Sequence, residues 1–162
     1  MDVLKLVICI LICQIIGILG SLFNIKSIPG WYSKQKKPSF NPPNWIFGPV
    51  WTLLYLLMGI SLYLILVSGK VTTLAITIFA IQLFLNLIWT GIFFGMKKPL
   101  LAFIEIILLW ASILISIIIF YGISKVASYL LIPYILWVSF ASILNFSIWK
   151  LNRNNATRRR KI

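Results

Sequence analysis

Five long apolar runs constrain this chain more than any other feature of its sequence. Each run spans roughly 20 residues or more, the length that an α-helix needs to cross a bilayer. Backbone polar groups find no water there, so an isolated run of this kind is stable only as a helix. The sequence therefore predicts an all-α integral membrane protein with a long loop between its first two helices. The five transmembrane helices are predicted at about 3–23, 43–67, 71–94, 99–121 and 126–149.

The composition agrees with this class and excludes several others. Of the 162 residues, 61% are hydrophobic and 10% are charged, which is too few to cover a water-facing surface. The chain has no histidine, and its two acids are Asp2 and Glu105. This excludes an imidazole base, a Ser-His-Asp triad and a paired-carboxylate metal site. Cys9 and Cys13 share one helix face and are predicted to be core residues. We expect no metal and no cofactor.

The positions of the cations predict a topology rather than a nucleic-acid interface. Twelve of the fifteen lie on one side of the predicted bundle, in the first loop, at Lys97-Lys98 and in the C-terminal segment. The positive-inside rule places that side in the cytoplasm, with the N-terminus outside and the cell membrane as the expected location. We expect no nucleic-acid partner. A transmembrane domain of residues 1–152 and a polybasic tail of residues 153–162, able to touch anionic lipid, complete the predicted organisation.

Residues 38–55 begin as a proline-rich segment and continue into helix 2 without a break. Proline is tolerated in the first turn of a helix, so Pro42-Pro43 can open this one with Asn41 as its N-cap. One face of the helix then alternates aromatic residues with small ones at spacings of three and four. A lipid-facing surface does not need this alternation, so the face is predicted to line a cavity. Its members are Gly48, Trp51, Thr52, Tyr55 and Gly59.

Helix 1 has a narrow stripe of polar and small residues that is predicted to face other helices. Helices 3 and 5 carry faces like that of helix 2, with a tryptophan among small or polar residues, and helix 5 has a predicted kink at Pro133. A cavity built from such faces suits a large, flat and mostly apolar ligand. The faces are Gln14, Gly17 and Ser21 on helix 1, Gln82, Asn86, Trp89, Thr90 and Phe93 on helix 3, and Trp137, Phe140, Ala141 and Leu144 on helix 5.

Three features of the sequence allow more than one interpretation. Trp31-Tyr32 lies among lysines in the first loop, and is either an interfacial anchor or a lid over the cavity mouth. Glu105 is an intramembrane carboxyl group, which is by default a functional-site candidate, although we favour a structural role. Gly91 and Gly95 fit the small-xxx-small pattern, which pairs helices within one chain or between two.

Several motifs resemble the signature of the translocator protein family, which comprises microbial tryptophan-rich sensory proteins and mitochondrial peripheral benzodiazepine receptors. They are WY at residues 31–32, KP at 37–38, NPPNWIFGPVWTLLY at 41–55, NLIWT at 86–90, FFGMK at 93–97, LIPYILW at 131–137 and LNF at 144–146. The resemblance implies a five-helix bundle that is usually a homodimer. It also implies binding of porphyrins, other tetrapyrroles or benzodiazepine-type ligands, for sensing or transport.

The resemblance further implies a ligand pocket under the first loop. Trp51 and Trp137 match the pair associated in microbial relatives with light- and oxygen-dependent porphyrin breakdown, so a porphyrin-degrading enzyme is the alternative function. A cavity that holds only membrane lipid is a third possibility. Phe146 stands where the animal sterol-recognition pattern needs tyrosine, which argues against sterol binding. The implied ligand-binding residues are Tyr32, Pro42, Trp51, Asn86, Trp89, Phe93, Trp137 and Ala141.

Overall fold

A computed structural model of the chain describes the backbone of residues 2–159 and the side chains of residues 2–153 except residue 26. Within this part the regular structure is entirely helical, and five segments are long and apolar enough to cross a membrane. The fifth segment is built from two consecutive helices. The predicted five-helix membrane fold is thereby confirmed. The helices are α1 (Val3–Ser27), α2 (Asn44–Leu66), α3 (Thr73–Thr90), α4 (Pro99–Ile123), α5 (Lys125–Leu130) and α6 (Ile132–Arg159).

Short polar residues begin three of these helices. The Asp2 carboxylate accepts the backbone N–H of Lys5 at 3.1 Å and so caps α1. Thr72 caps α3 and Ser124 caps α5 in the same way, each accepting an N–H that has no partner within its helix. The ends of α1 and α6 extend beyond the predicted boundaries, to Ser27 and Arg159. The predicted tail at 153–162 lies outside the described side chains except for its first residue.

The start of α2 differs from the prediction. Its N-cap is Pro43 and its first helical residue is Asn44, so Asn41 is not the cap. The Asn41 side chain is engaged in the loop instead. It accepts the Tyr32 hydroxyl at 2.7 Å and donates to the Pro42 carbonyl at 2.9 Å. The side-chain oxygen needed for capping therefore holds the loop.

Two irregular turns interrupt the helices of the bundle, one between α5 and α6 and one at the end of α3. α5 and α6 meet at Leu131, with Pro133 in the first turn of α6, where its missing N–H is tolerated. This break agrees with the kink predicted there. α3 ends in a π-helical turn, Gly91–Gly95, which packs against Phe23 of α1. A Cβ on Gly95 would lie 3.0 Å from the Phe23 ring, so this glycine serves a contact within the chain.

At the opposite end of the bundle, α1 and α2 approach each other closely. A Cβ on Gly59 would lie 2.6 Å from the Cα of Ile10, so only glycine allows this approach. The Asp2 backbone N–H donates to the Tyr63 hydroxyl at 3.2 Å in the same region. Cys9 is buried nearby as a free thiol. Gly59 therefore belongs to a helix contact, whereas other members of its predicted face line a cavity.

Candidate functional site

A cavity of about 510 Å³ lies in the loop-side half of the bundle. Its walls come from α1, α2, the end of α3 with the π-helical turn, and α6, and the first loop contributes to its edge. Within the described side chains, its lining contains aromatic, aliphatic and neutral polar groups and no lysine, arginine, aspartate or glutamate. An uncharged aromatic cavity favours a flat and mostly apolar ligand.

The structure brings six of the eight expected ligand-binding residues to this cavity. Pro42 and Asn86 are the two exceptions. Pro42 lies in the loop before α2, and Asn86 is buried behind the aromatic wall at 1% exposure. The six that line the cavity are Tyr32, Trp51, Trp89, Phe93, Trp137 and Ala141.

Trp51 occupies the middle of the aromatic wall. Its ring centroid lies 6.5 Å from that of Trp89 at an interplanar angle of 34°, and 5.7 Å from that of Tyr55. Trp89 in turn stacks on Phe93 at 5.5 Å and 22°. Because these rings contact one another in sequence, they form a continuous surface on which a planar ligand can stack.

Asn86 holds this wall in place from behind. Its side-chain oxygen accepts the Tyr55 hydroxyl, and its amide donates to the Tyr134 hydroxyl at 2.9 Å. Both tyrosine rings contact Trp51. Since the oxygen and the nitrogen of the Asn86 amide each bond to one of these tyrosines, Asn86 positions Trp51 through them and is absent from the cavity lining.

Two tryptophans of the cavity differ in what their indole N–H groups do. The Trp89 N–H donates to Asn145 at 3.1 Å, and the Asn145 amide donates onward to the Pro99 carbonyl at 2.7 Å. The Trp137 N–H is buried without a hydrogen-bond partner among the described residues. A buried donor without a partner is unfavourable, which distinguishes the N–H of Trp137 from that of Trp89.

Most of the α1 wall was not predicted from the sequence. Asn24 lines the cavity, and its buried side-chain oxygen accepts no hydrogen bond from the described residues. Helix 1 was predicted to end at residue 23, which placed Asn24 in the loop. The stripe of Gln14, Gly17 and Ser21 could have predicted this position, because Asn24 follows Ser21 by three residues and so lies on the same helix face.

The α1 stripe is also fixed to α2. Gln14 donates to the Thr52 carbonyl at 3.0 Å. Gly17 faces the Tyr55 ring so closely that a Cβ there would lie 2.5 Å from ring carbons. The polar stripe of helix 1 therefore both lines the cavity and closes its end.

The first loop covers part of the cavity as a lid. Tyr32 is 2% exposed, and its ring lies 5.6 Å from that of Phe94, while Trp31 contacts Phe93 edge-on at 5.6 Å. Burial raises the pKa of Tyr32 to about 12, so its hydroxyl stays protonated at neutral pH and donates to Asn41. These contacts favour the lid interpretation of Trp31-Tyr32.

Asn152 of α6 fastens this lid by two hydrogen bonds. Its side-chain oxygen accepts the Lys36 backbone N–H at 3.0 Å, and its amide donates to the Lys36 carbonyl at 2.9 Å. The same amide also donates to the Ile148 carbonyl at 2.8 Å, and Ile148 lines the cavity. The loop is therefore tied to the helix that forms one wall.

Glu105 lies elsewhere. It is buried in α4 at 7% exposure, and neither carboxyl oxygen has a hydrogen-bond partner among the side chains and backbone that the structure describes. It is absent from the cavity lining. The structure thus places the one intramembrane carboxyl group outside the candidate site.

The fold and the cavity together define a multi-pass integral membrane protein whose aromatic side chains converge on one internal site. The model of the TspO/MBR family matches residues 9–150, and the chain belongs to this family. This confirms the resemblance found in the sequence.

Curated relatives from distant organisms are similar over most of the chain. The tryptophan-rich protein TspO of Chlorobaculum tepidum is 46% identical over 154 residues, 93% of this chain and 98% of the relative. That of Archaeoglobus fulgidus is also 46% identical over 154 residues, 94% of this chain and 99% of the relative. The human translocator protein is 36% identical over 126 residues, 75% of each chain.

Proposed function

We propose that this protein binds porphyrins or related tetrapyrroles in the cavity beneath the first loop. The observation that carries the proposal is the uncharged aromatic wall built around Trp51, Trp89 and Trp137. A volume of about 510 Å³ lies within the ordinary range of small-molecule sites. Membership of the TspO/MBR family supports the same ligand class.

The chemistry of the wall suits a flat macrocycle. The rings of Trp51 and Trp89 are inclined by only 34° to each other and offer a stacking surface. Trp137 supplies a buried N–H donor and Asn24 a buried acceptor, so a ligand with polar groups at its edge can satisfy both.

Tryptophan fluorescence tests this proposal directly. Protoporphyrin IX titrated into protein in lipid nanodiscs should quench the emission saturably, and changing both Trp51→Phe and Trp137→Phe should weaken the apparent affinity about tenfold or more. Trp45→Phe is the matched control, because Trp45 is 73% exposed and does not line the cavity. Quenching that never saturates, as in empty nanodiscs, would refute the proposal.

The second candidate function is photo-oxidative breakdown of the bound porphyrin. The observation that favours it is the placement of two oxidisable indoles, Trp51 and Trp137, on one cavity. Illumination in air should then convert protoporphyrin IX to a defined product, which the double Trp→Phe variant should not form. An unrelated tryptophan-containing membrane protein that yields the same product would show that the chemistry does not depend on this site.

A cavity filled only by lipid is the third alternative, and competition separates it from the first. If lipid and porphyrin share the site, then raising the amount of a short-chain phospholipid should displace porphyrin competitively. A lipid-only cavity predicts no saturable porphyrin signal at any lipid concentration.

We propose further that the protein lies in the cell membrane with the first loop and the C-terminus in the cytoplasm. The sequence has twelve of its fifteen cations in the segments assigned to that side, which supports this orientation. The exposed Ser39 of the first loop and Lys70 of the α2–α3 connection suit single-cysteine labelling, since both native thiols are buried. A membrane-impermeant maleimide added to intact cells should label Lys70→Cys and spare Ser39→Cys.

The homodimer implied by the family remains part of this proposal. Its test is the mass of the protein in nanodiscs by light scattering, where a mass near one chain of 18.6 kDa would exclude it.

A further inference from the structure

We propose that Lys37 determines ligand specificity at the edge of the cavity by binding a carboxylate of the ligand. This inference rests on the proposed function and adds which edge of the ligand faces the loop. Lys37 would favour ligands that have a flat apolar body with anionic groups along one edge. In the bound ligand those groups face the first loop.

The cavity itself cannot hold a carboxylate favourably. Among the side chains that the structure describes, the lining contains no cationic group, and burying an ionised group without a charged partner is strongly unfavourable. Two of these described side chains carry a buried polar atom without a hydrogen-bond partner, the indole N–H of Trp137 and the amide oxygen of Asn24. A ligand with carboxylates must therefore place them at the edge of the cavity, while its apolar body contacts the aromatic wall.

Lys37 does not itself line the cavity but lies beside Tyr32, which does. Its Nζ is 4.7 Å from the centroid of the Tyr32 ring, and Tyr32 both lines the cavity and is nearly fully buried. The ammonium group is thus held over a cavity residue by a cation–π contact. This places one cation next to the site without placing it inside.

The Lys37 ammonium group retains hydrogen-bonding capacity. It makes one long hydrogen bond, from Nζ to the Ser33 carbonyl at 3.5 Å, although an ammonium group has three donors. The acidic side chains of the chain are Asp2, which pairs with Lys5 at 3.2 Å, and Glu105, which is buried in α4. Neither acidic side chain pairs with Lys37, so a ligand carboxylate would meet no competing one.

The loop around Lys37 is positioned before any ligand arrives. The residue before it, Lys36, is held to Asn152 through both its backbone N–H and its carbonyl. Lys34 belongs to the same loop, but its side chain is exposed and it has no ring contact with the cavity residues. Lys37 and Lys34 therefore differ in position while contributing the same charge, which makes them a matched pair.

The test compares protoporphyrin IX with its dimethyl ester, which has the same macrocycle and no carboxylates. Dissociation constants for both are measured by tryptophan quenching in nanodiscs, and the ratio of ester to acid constants is compared among variants. This comparison of ratios cancels the greater partitioning of the ester into lipid. Lys37→Gln should lower the ratio about threefold to tenfold, as expected for a partly exposed ion pair. Lys34→Gln and Lys37→Arg should leave it near the wild-type value.

Three outcomes would overturn the assignment. An unchanged ratio in Lys37→Gln, with saturable binding of both porphyrins, removes Lys37 and leaves the proposed function standing. An equal fall in Lys34→Gln shows that the overall charge of the loop is responsible. Absence of saturable binding for either porphyrin in the wild type removes both proposals. A wild-type unfolding temperature for Lys37→Gln confirms that the comparison concerns folded protein.

Discussion

The contact between helices α1 and α2 differs between the two ends of the bundle. At one end Gly59 lets the two backbones touch, and the Tyr63 hydroxyl accepts the N–H of Asp2. At the other end both helices face the cavity, and Gly48 has no heavy atom within 4 Å of where a Cβ would be. The same pair of helices thus supplies a packed half and a half with internal space, and this difference separates stability from ligand binding.

The largest expected effect comes from filling the packed end. Gly59→Leu would force a side chain into the α1 backbone, so we expect a loss of several kcal/mol and failure to accumulate as folded protein. Gly48→Leu is the matched change at the open end and should stay within about 0.5 kcal/mol of the wild type. The measurement is thermal unfolding of the purified proteins, and equal stabilities of the two variants would contradict the comparison.

The next effect separates two tryptophans of the cavity. Trp89→Phe removes the donor to Asn145 and leaves a buried oxygen without it, which should cost about 1–3 kcal/mol more than Trp137→Phe. Trp137→Phe removes an N–H that has no partner among the described residues, so it should weaken porphyrin binding rather than folding. Parallel unfolding and quenching titrations of both variants check this. Equal losses of stability would show that the hydrogen bond to Asn145 is unimportant.

A smaller effect concerns the lid. Asn152→Ala removes both hydrogen bonds to Lys36, and two such bonds contribute about 1–3 kcal/mol to keeping the loop in place. Trypsin should therefore cleave after Lys36 about fivefold or more faster, while the unfolding temperature of the bundle changes little. Lys150→Ala, which is exposed on the same helix, is the control and should leave cleavage of the loop unchanged.

The smallest effect lies at the start of α1 and depends on pH. The Lys5 backbone N–H that Asp2 accepts holds the pKa of Asp2 below its ordinary value. Because the pKa is lowered in the folded protein, the ionised cap stabilises the start of α1 at pH values above the ordinary pKa of about 4. This stabilisation is lost as the pH falls through the pKa of the folded state. Amide exchange at Lys5, corrected for the intrinsic effect of pH, should lose protection on acidification toward pH 2–3 and should do so less in Asp2→Asn.

Much of the fold followed from the sequence because the bilayer leaves few alternatives. Apolar runs of this length must be helical, and five of them, with twelve of the fifteen cations in the segments predicted on one side, left few possible architectures. Most of the aromatic site also followed, since Trp51, Trp89 and Trp137 each lie on a helix face that alternates large residues with small ones. Part of the α1 wall was missed because no glycine or proline directly follows residue 23 to indicate a helix end, and α1 continues to Ser27.

The sequence by itself determined the class of protein, the number of membrane helices and which faces carry aromatic residues, because periodicity along one helix is a local property. The tertiary structure decided what each polar group on those faces contacts. It placed Asn86 behind the wall, turned Asn41 from a cap into a partner of Tyr32, and left the buried N–H of Trp137 without a partner among the residues that the structure describes. Those outcomes depend on contacts between helices that are far apart in the chain, and such distances are set only when the bundle packs.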